Sequence, residues 1–132
     1  MFQLKPVVWL GSSLKAVQEF PSVSKRQIGL QLALVQSGEM PSDWKPLRGI
    51  GSGVYEIRVH GSGEYRVVYV AKFAQAIFVL HAFGKKSRKA ATVDVRTVQL
   101  RYSQLLASLG IKEHRHGSSQ YKNARQNVSK NV

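Results

Sequence analysis

Arg58, Arg66 and His81 are side chains suited to anion binding and proton transfer, and just beyond them Lys85, Lys86, Arg88 and Lys89 put four cations into five residues. A guanidinium presents a planar fork of donors that matches a phosphate. An imidazole can take up or release a proton near neutral pH. Phe83 lies between these groups in sequence and offers a ring against which an unstacked base can rest. Arginines, an imidazole and an aromatic ring beside a dense cationic run suit single-stranded RNA. No metal site or cofactor is expected, because the chain has no cysteine and His114 and His116 have no third ligand nearby.

These residues need a sheet to bring them together. Three strand candidates, Val54–His60, Glu64–Phe73 and Ala76–Phe83, are separated by Gly61-Ser62-Gly63 and by a short turn at Ala74-Gln75, which predicts an antiparallel meander. A three-residue first turn, with a glycine in the left-handed region, pairs His60 with Glu64 and sets Arg58 opposite Arg66. Like charges across a ladder are unfavourable unless something negative sits between them. Carrying the register over a two- or four-residue second turn pairs Arg66 with Phe83 and Val68 with His81. Arg58, Arg66, His81 and Phe83 then share one face. Tyr55, Ile57, Val59, Val67, Tyr69, Phe78 and Leu80 are expected on the other, beneath helices.

The remaining elements follow from punctuation. Phe2–Leu10 reads as a first strand closed by Gly11, and Leu14–Phe20 as a short helix stopped by Pro21. Ser22 or Ser24 caps a second helix running towards Ser37 and ended by Gly38, with Ile28, Leu32 and Val35 in one stripe and Leu30 and Leu34 beside it. Residues 38–53 read as a loop tacked down by Trp44 and Lys45-Pro46-Leu47. Thr92 or Asp94 opens a last helix carrying Val95, Val98, Tyr102, Leu105 and Leu109, ended by Gly110. The expected fold class is α+β: an N-terminal helical hairpin on an antiparallel sheet of about four strands, with a C-terminal helix. Residues 1–109 form the domain, and 110–132 a basic tail expected to be disordered.

At 132 residues and a formal net charge of +13, the chain is sized for one domain and its charge calls for a polyanionic partner. No apolar run reaches the roughly 20 residues of a membrane span, and no basic amphipathic helix with a bulky apolar face is evident. The first residues lack the pattern of a secretory signal, so a cytoplasmic location is expected.

Several segments resemble the RelE/HigB superfamily of type II toxins, specifically its phage-derived, HigB-like branch. They are Val8-Trp9-Leu10-Gly11-Ser12-Ser13-Leu14, Lys45-Pro46-Leu47-Arg48-Gly49, Gly53-Val54-Tyr55-Glu56-Ile57-Arg58, Tyr65-Arg66-Val67-Val68-Tyr69 and Leu80-His81-Ala82-Phe83-Gly84-Lys85-Lys86-Ser87. The resemblance runs in order over roughly residues 2–108. It implies a RelE-like fold and a ribosome-dependent messenger-RNA endonuclease. Cleavage would proceed by attack of the ribose 2′-hydroxyl on the neighbouring phosphate, with no metal. It also implies a cognate antitoxin, in this branch usually a helix-turn-helix, HigA-like protein. By motif, Arg66 matches the phosphate-binding arginine, Lys86 the basic residue at the cleavage site, and Arg58 the basic position of the preceding strand. Lys85 and Lys89 are further candidates for phosphate or ribosomal RNA contacts, and Arg88 and Phe83 join them as candidate RNA-binding residues from their own chemistry. His81, the histidine near this cluster, is a candidate to take the 2′-hydroxyl proton as a neutral imidazole, with the roles of base and acid left open among these groups. The chain departs from the pattern at Ala90-Ala91, where the branch commonly has Thr-Pro, and in lacking a clear counterpart to a tyrosine used by some relatives.

Two other functions fit the same sequence: a ParE-like toxin that poisons gyrase, and a noncatalytic phage-derived module that binds RNA or protein. The ordinary reading of the residues themselves is that Arg58 and Arg66 pair with Glu56 and Glu64, that His81 is hydrogen-bonded within its strand, and that 85–89 is a solvated turn.

Overall fold

A computed structural model of the chain describes residues 4–85 and 92–112. Among them are five strands and three helices, in the order β1 (Val7–Trp9), α1 (Ser13–Gln18), α2 (Ser22–Gln36), β2 (Trp44–Pro46), β3 (Val54–His60), β4 (Glu64–Val70), β5 (Ile77–Lys85) and α3 (Thr92–Ser108). The strands form one sheet in the order β1-β5-β4-β3-β2. The expected antiparallel meander is its centre. The sheet as a whole is mixed, because β1 runs parallel to β5 while the other neighbours are antiparallel. The expected sheet of about four antiparallel strands is corrected on two points. The segment read as a loop supplies β2, in which Lys45 pairs with Glu56 at the sheet edge. The strand read over Phe2–Leu10 is parallel and shorter, because its pairing with β5 covers only Val7 to Trp9.

Both faces of the sheet are covered, and the hydrophobic effect drives each layer. On one face Val17 of α1 and Ile28, Leu32 and Val35 of α2 pack on Ile57, Val59, Val67, Tyr69, Ile77, Val79 and Ala82. Burying side chains of this size contributes roughly 1.5–3 kcal/mol each. Leu30, expected beside the stripe, is exposed. On the other face Val98, Tyr102 and Leu105 of α3 pack on Val54, Val68, Val70, Phe78 and Leu80. The unbroken run Ala76-Ile77-Phe78-Val79-Leu80 suits a strand buried on both sides, where alternation with polar residues is not needed.

The helix punctuation is close to expectation, with the ends of α2 and α3 at Gly38 and Gly110. Its mechanism differs in one place. Pro21, not a serine, occupies the N-cap of α2, and the Ser24 hydroxyl is buried without a hydrogen-bond partner among the described residues. Among the described residues, no helix is long and apolar enough to cross a membrane. Of the tail expected over 110–132, residues 113–132 lie outside the described residues.

Candidate functional site

The site is built on the hairpin of β3 and β4. Its register is the expected one, with His60 opposite Glu64 and Arg58 opposite Arg66. Neither Gly61 nor Gly63 takes the left-handed conformation expected of the turn, which is closed instead by a hydrogen bond of 2.9 Å from Gly61 N–H to the Gly63 carbonyl. On the other side Arg66 pairs with Phe83 and Val68 with His81, again as expected. The connection between β4 and β5 is longer than a tight turn and spans 71–76. A register shift between Val68 and Tyr69 sets Tyr69 opposite Val79, leaving Leu80 as the extra residue of β5. That bulge corrects the facial assignment. Phe78 and Leu80 lie on the face of Arg66 and His81, packed under α3, because the extra residue breaks the two-residue alternation.

The like-charged Arg58 and Arg66 are reconciled by a carboxylate. Glu56 lies 3.7 Å from the Nε of Arg58 and 3.7 Å from the Nε of Arg66. Arg66 is buried, with 6% of its surface exposed, and its Nη1 also donates to Glu64 at 3.2 Å. The Nε of Arg58 is buried with no hydrogen-bond partner among the described residues. The ordinary pairing of these arginines with Glu56 and Glu64 is therefore present. Glu64 is held from its other side by His60, whose Nδ1 lies 2.7 and 2.9 Å from the two carboxylate oxygens. The His60 Nε2 meets Asp43 at 2.6 Å. These hydrogen bonds, that to Asp43 first, raise the pKa of His60, and the bond from His60 foremost lowers that of Glu64. The result is one string of alternating charge: Asp43, His60, Glu64, Arg66, Glu56, Arg58.

His81 lies beside this string on the same face. Its Nε2 is 2.6 Å from Asp94 in the first turn of α3, and its ring stacks on Phe83 with centroids 5.3 Å apart and planes at 22°. Arg101 Nη1 donates to the Leu80 carbonyl at 2.9 Å and lies 3.5 Å from His81 Nδ1, and its Nη2 donates to Ser12 Oγ at 3.2 Å. Burial pushes the Arg101 guanidinium below the usual arginine pKa. A donor at Nδ1 and a carboxylate at Nε2 assign the proton of the neutral ring to Nε2, leaving the lone pair on Nδ1. Gly11 makes room for this arginine. At φ +55° it takes a conformation that an L side chain rarely adopts, and a Cβ there would fall 2.4 Å from Arg101 Cζ.

The fold thus brings together Arg58, Arg66, His81 and Phe83, with Lys85 at the end of β5 opposite Glu64. Lys86, Arg88 and Lys89, together with Ala90-Ala91, lie outside the described residues. Asp94 and Arg101 carry the surroundings of His81 and were not singled out by sequence. Asp94 was legible only as a helix start, and Arg101 only as a cation beside an apolar stripe. Among the described residues no cluster of three or more histidine, cysteine, aspartate or glutamate side chains could hold a metal ion. A cleft of about 410 Å³ at the edge formed by β2 and β3, lined by Trp44, Pro46, Arg48 and Tyr55, contains none of the expected site residues.

No curated protein matches the chain. Residues 15–103, which span α1 to most of α3, match the family described as phage derived protein Gp49-like (DUF891). That span covers more than half of the sequence and includes Arg58, Arg66, His81 and Phe83, and the chain belongs to this phage-derived Gp49-like family.

Proposed function

We propose that the protein is the toxin of a type II toxin–antitoxin pair and cleaves messenger RNA on the ribosome. The observation that carries this reading is the gathering of Arg58, Arg66, His81 and Phe83 on one end of one sheet face, where β5 runs on towards the cationic run after Lys85. Membership of a phage-derived family is consistent with a toxin module. In the proposed reaction the ribose 2′-oxygen attacks the neighbouring phosphorus and the bond from phosphorus to the 5′-oxygen breaks. The products are a 2′,3′-cyclic phosphate and a free 5′-hydroxyl. The proton from the 2′-hydroxyl goes to a base, and the departing 5′-oxygen takes one from an acid.

Arg66 is the proposed phosphate ligand, with Arg58 behind it across the ladder. His81 is the proposed base. Asp94 holds the ring in the tautomer that leaves the Nδ1 lone pair available, with only the long 3.5 Å contact to Arg101 to exchange. Lys86 is the proposed cation at the leaving oxygen, and Phe83 a surface for a neighbouring base. The proposed partners are messenger RNA, the ribosome and a helix-turn-helix, HigA-like antitoxin.

A second reading, a module that binds RNA or protein without cutting it, draws on the pairing of both arginines and the engagement of both ring nitrogens of His81. Induced expression followed by mapping of new 5′-hydroxyl ends separates the two. The endonuclease reading expects ends within translated codons, lost in Arg66→Ala combined with Lys86→Ala while the protein stays folded. Intact transcripts with a DNA-damage response would instead support gyrase poisoning. Intact transcripts with unimpaired growth would support the noncatalytic module.

A further inference from the structure

We infer that the Glu64 carboxylate occupies the phosphate position on Arg66, so that RNA binds by displacing it and Glu64 sets how tightly this face takes a phosphodiester. The inference rests on reading Arg66 as the phosphate ligand. Its basis is the convergence of cationic groups on one carboxylate. Arg66 Nη1 reaches Glu64 at 3.2 Å, and His60 Nδ1 reaches it at 2.7 Å. Lys85 is its cross-strand partner on β5. A carboxylate and a phosphate are both acceptor-only anions that bind the same guanidinium donors, so a place built for one accepts the other.

Arg66 has two acidic partners, and their burial decides which can leave. The Glu56 side chain is 12% exposed and the Glu64 side chain 43%. Glu56 also serves Arg58, so its departure would leave two guanidinium groups facing each other across the ladder. Glu64 stands at the first position of β4, beside the Gly61-Ser62-Gly63 turn, and can swing into solvent. When it does, His60 keeps a carboxylate partner, because Asp43 holds its other nitrogen at 2.6 Å. Neither neighbour is left as an uncompensated charge. Glu64 is thus a positioning residue that competes with substrate for Arg66, and the apparent affinity for phosphate is reduced by the fraction of molecules in which it is in place.

The test uses the full chain and a fluorescent single-stranded 2′-O-methyl oligouridine, whose blocked 2′-oxygen cannot attack, with affinity read by anisotropy at fixed salt. Glu64→Gln should bind more tightly than wild type. Glu39→Gln, the same charge change on an exposed residue between α2 and β2, controls for net charge. The expected advantage of Glu64→Gln over Glu39→Gln is about two- to fivefold, the range of a part-exposed ion pair, and it should vanish when Arg66→Gln is present. Equal affinities of the two glutamate variants, with Arg66→Gln still weakening binding, would overturn the role of Glu64 and leave the phosphate site standing. No loss of affinity on Arg66→Gln alone would overturn both. Matching thermal midpoints of the variants exclude a folding defect as the cause.

Discussion

Replacing Gly11 with alanine probes how the start of the chain is tied to the site. The residue sits at φ +55°, and holding an L side chain in that region costs about 1–2 kcal/mol. The new Cβ would also fall 2.4 Å from both Cζ and Nε of Arg101, far inside contact distance. Those atoms end a flexible side chain, so the clash is relieved by moving the guanidinium, not the backbone. Moving it gives up the bonds to the Leu80 carbonyl at 2.9 Å and to Ser12 Oγ at 3.2 Å, and the contact with His81. A hydrogen bond from a charged donor is worth about 1.5–3 kcal/mol, and water re-solvates the displaced guanidinium in part, so losing the equivalent of one such bond on top of the backbone cost gives about 2.5–5 kcal/mol for Gly11→Ala. Urea unfolding followed by circular dichroism measures this, with an unchanged dependence on denaturant as the sign that the native and unfolded states are otherwise alike. Arg101→Ala in both backgrounds supplies the sharper measurement. Both substitutions act through one contact, so the double variant should be more stable than the sum of the singles predicts, by about 1 kcal/mol. A cost below about 0.5 kcal/mol for Gly11→Ala, or strict additivity, would refute the idea that Arg101 is held against the Gly11 backbone.

The charge string and the loop under α3 each give a further expected outcome. The raised pKa of His60 means that its bridge to Asp43 and Glu64 contributes stability fully below the ordinary imidazole pKa and loses it as pH rises through the folded value. The destabilisation caused by His60→Gln should therefore shrink between pH 6 and pH 8.5, and a flat difference would count against the bridge; the groups are half exposed, so the effect should also weaken with salt. Separately, a Cβ at Gly51 would fall 2.4 Å from Cε2 of Tyr102, a ring only 4% exposed, so Gly51→Ala should lower stability by about 1–3 kcal/mol. Gly61→Ala, whose Cβ meets only Ser24 Oγ at 3.5 Å, is the comparison, and equal melting temperatures would show that α3 does not close down on the loop.

By itself the sequence determined the hairpin register and therefore the company of the arginines. A short Gly-Ser-Gly turn between two alternating strands permits little slippage, so Arg58 opposite Arg66 and His60 opposite Glu64 follow from spacing. The stops at Gly38 and Gly110 and the buried stripes of α2 and α3 are equally local. The carboxylate partners of those arginines were legible too, because Glu56 and Glu64 each stand two residues from an arginine on the same strand face, and the structure pairs them so. Tertiary structure decided the rest. The parallel pairing of β1 with β5 joins residues seventy positions apart, and no local periodicity encodes it. The bulge at Leu80 is also invisible in a run of apolar residues, because every choice of face there buries a hydrophobic side chain. That bulge moves Phe78 and Leu80 beneath α3, and α3 carries Asp94 and Arg101 to His81. Spacing placed His81 on its face, whereas the packing of a helix across that face supplied the partners that fix its ring.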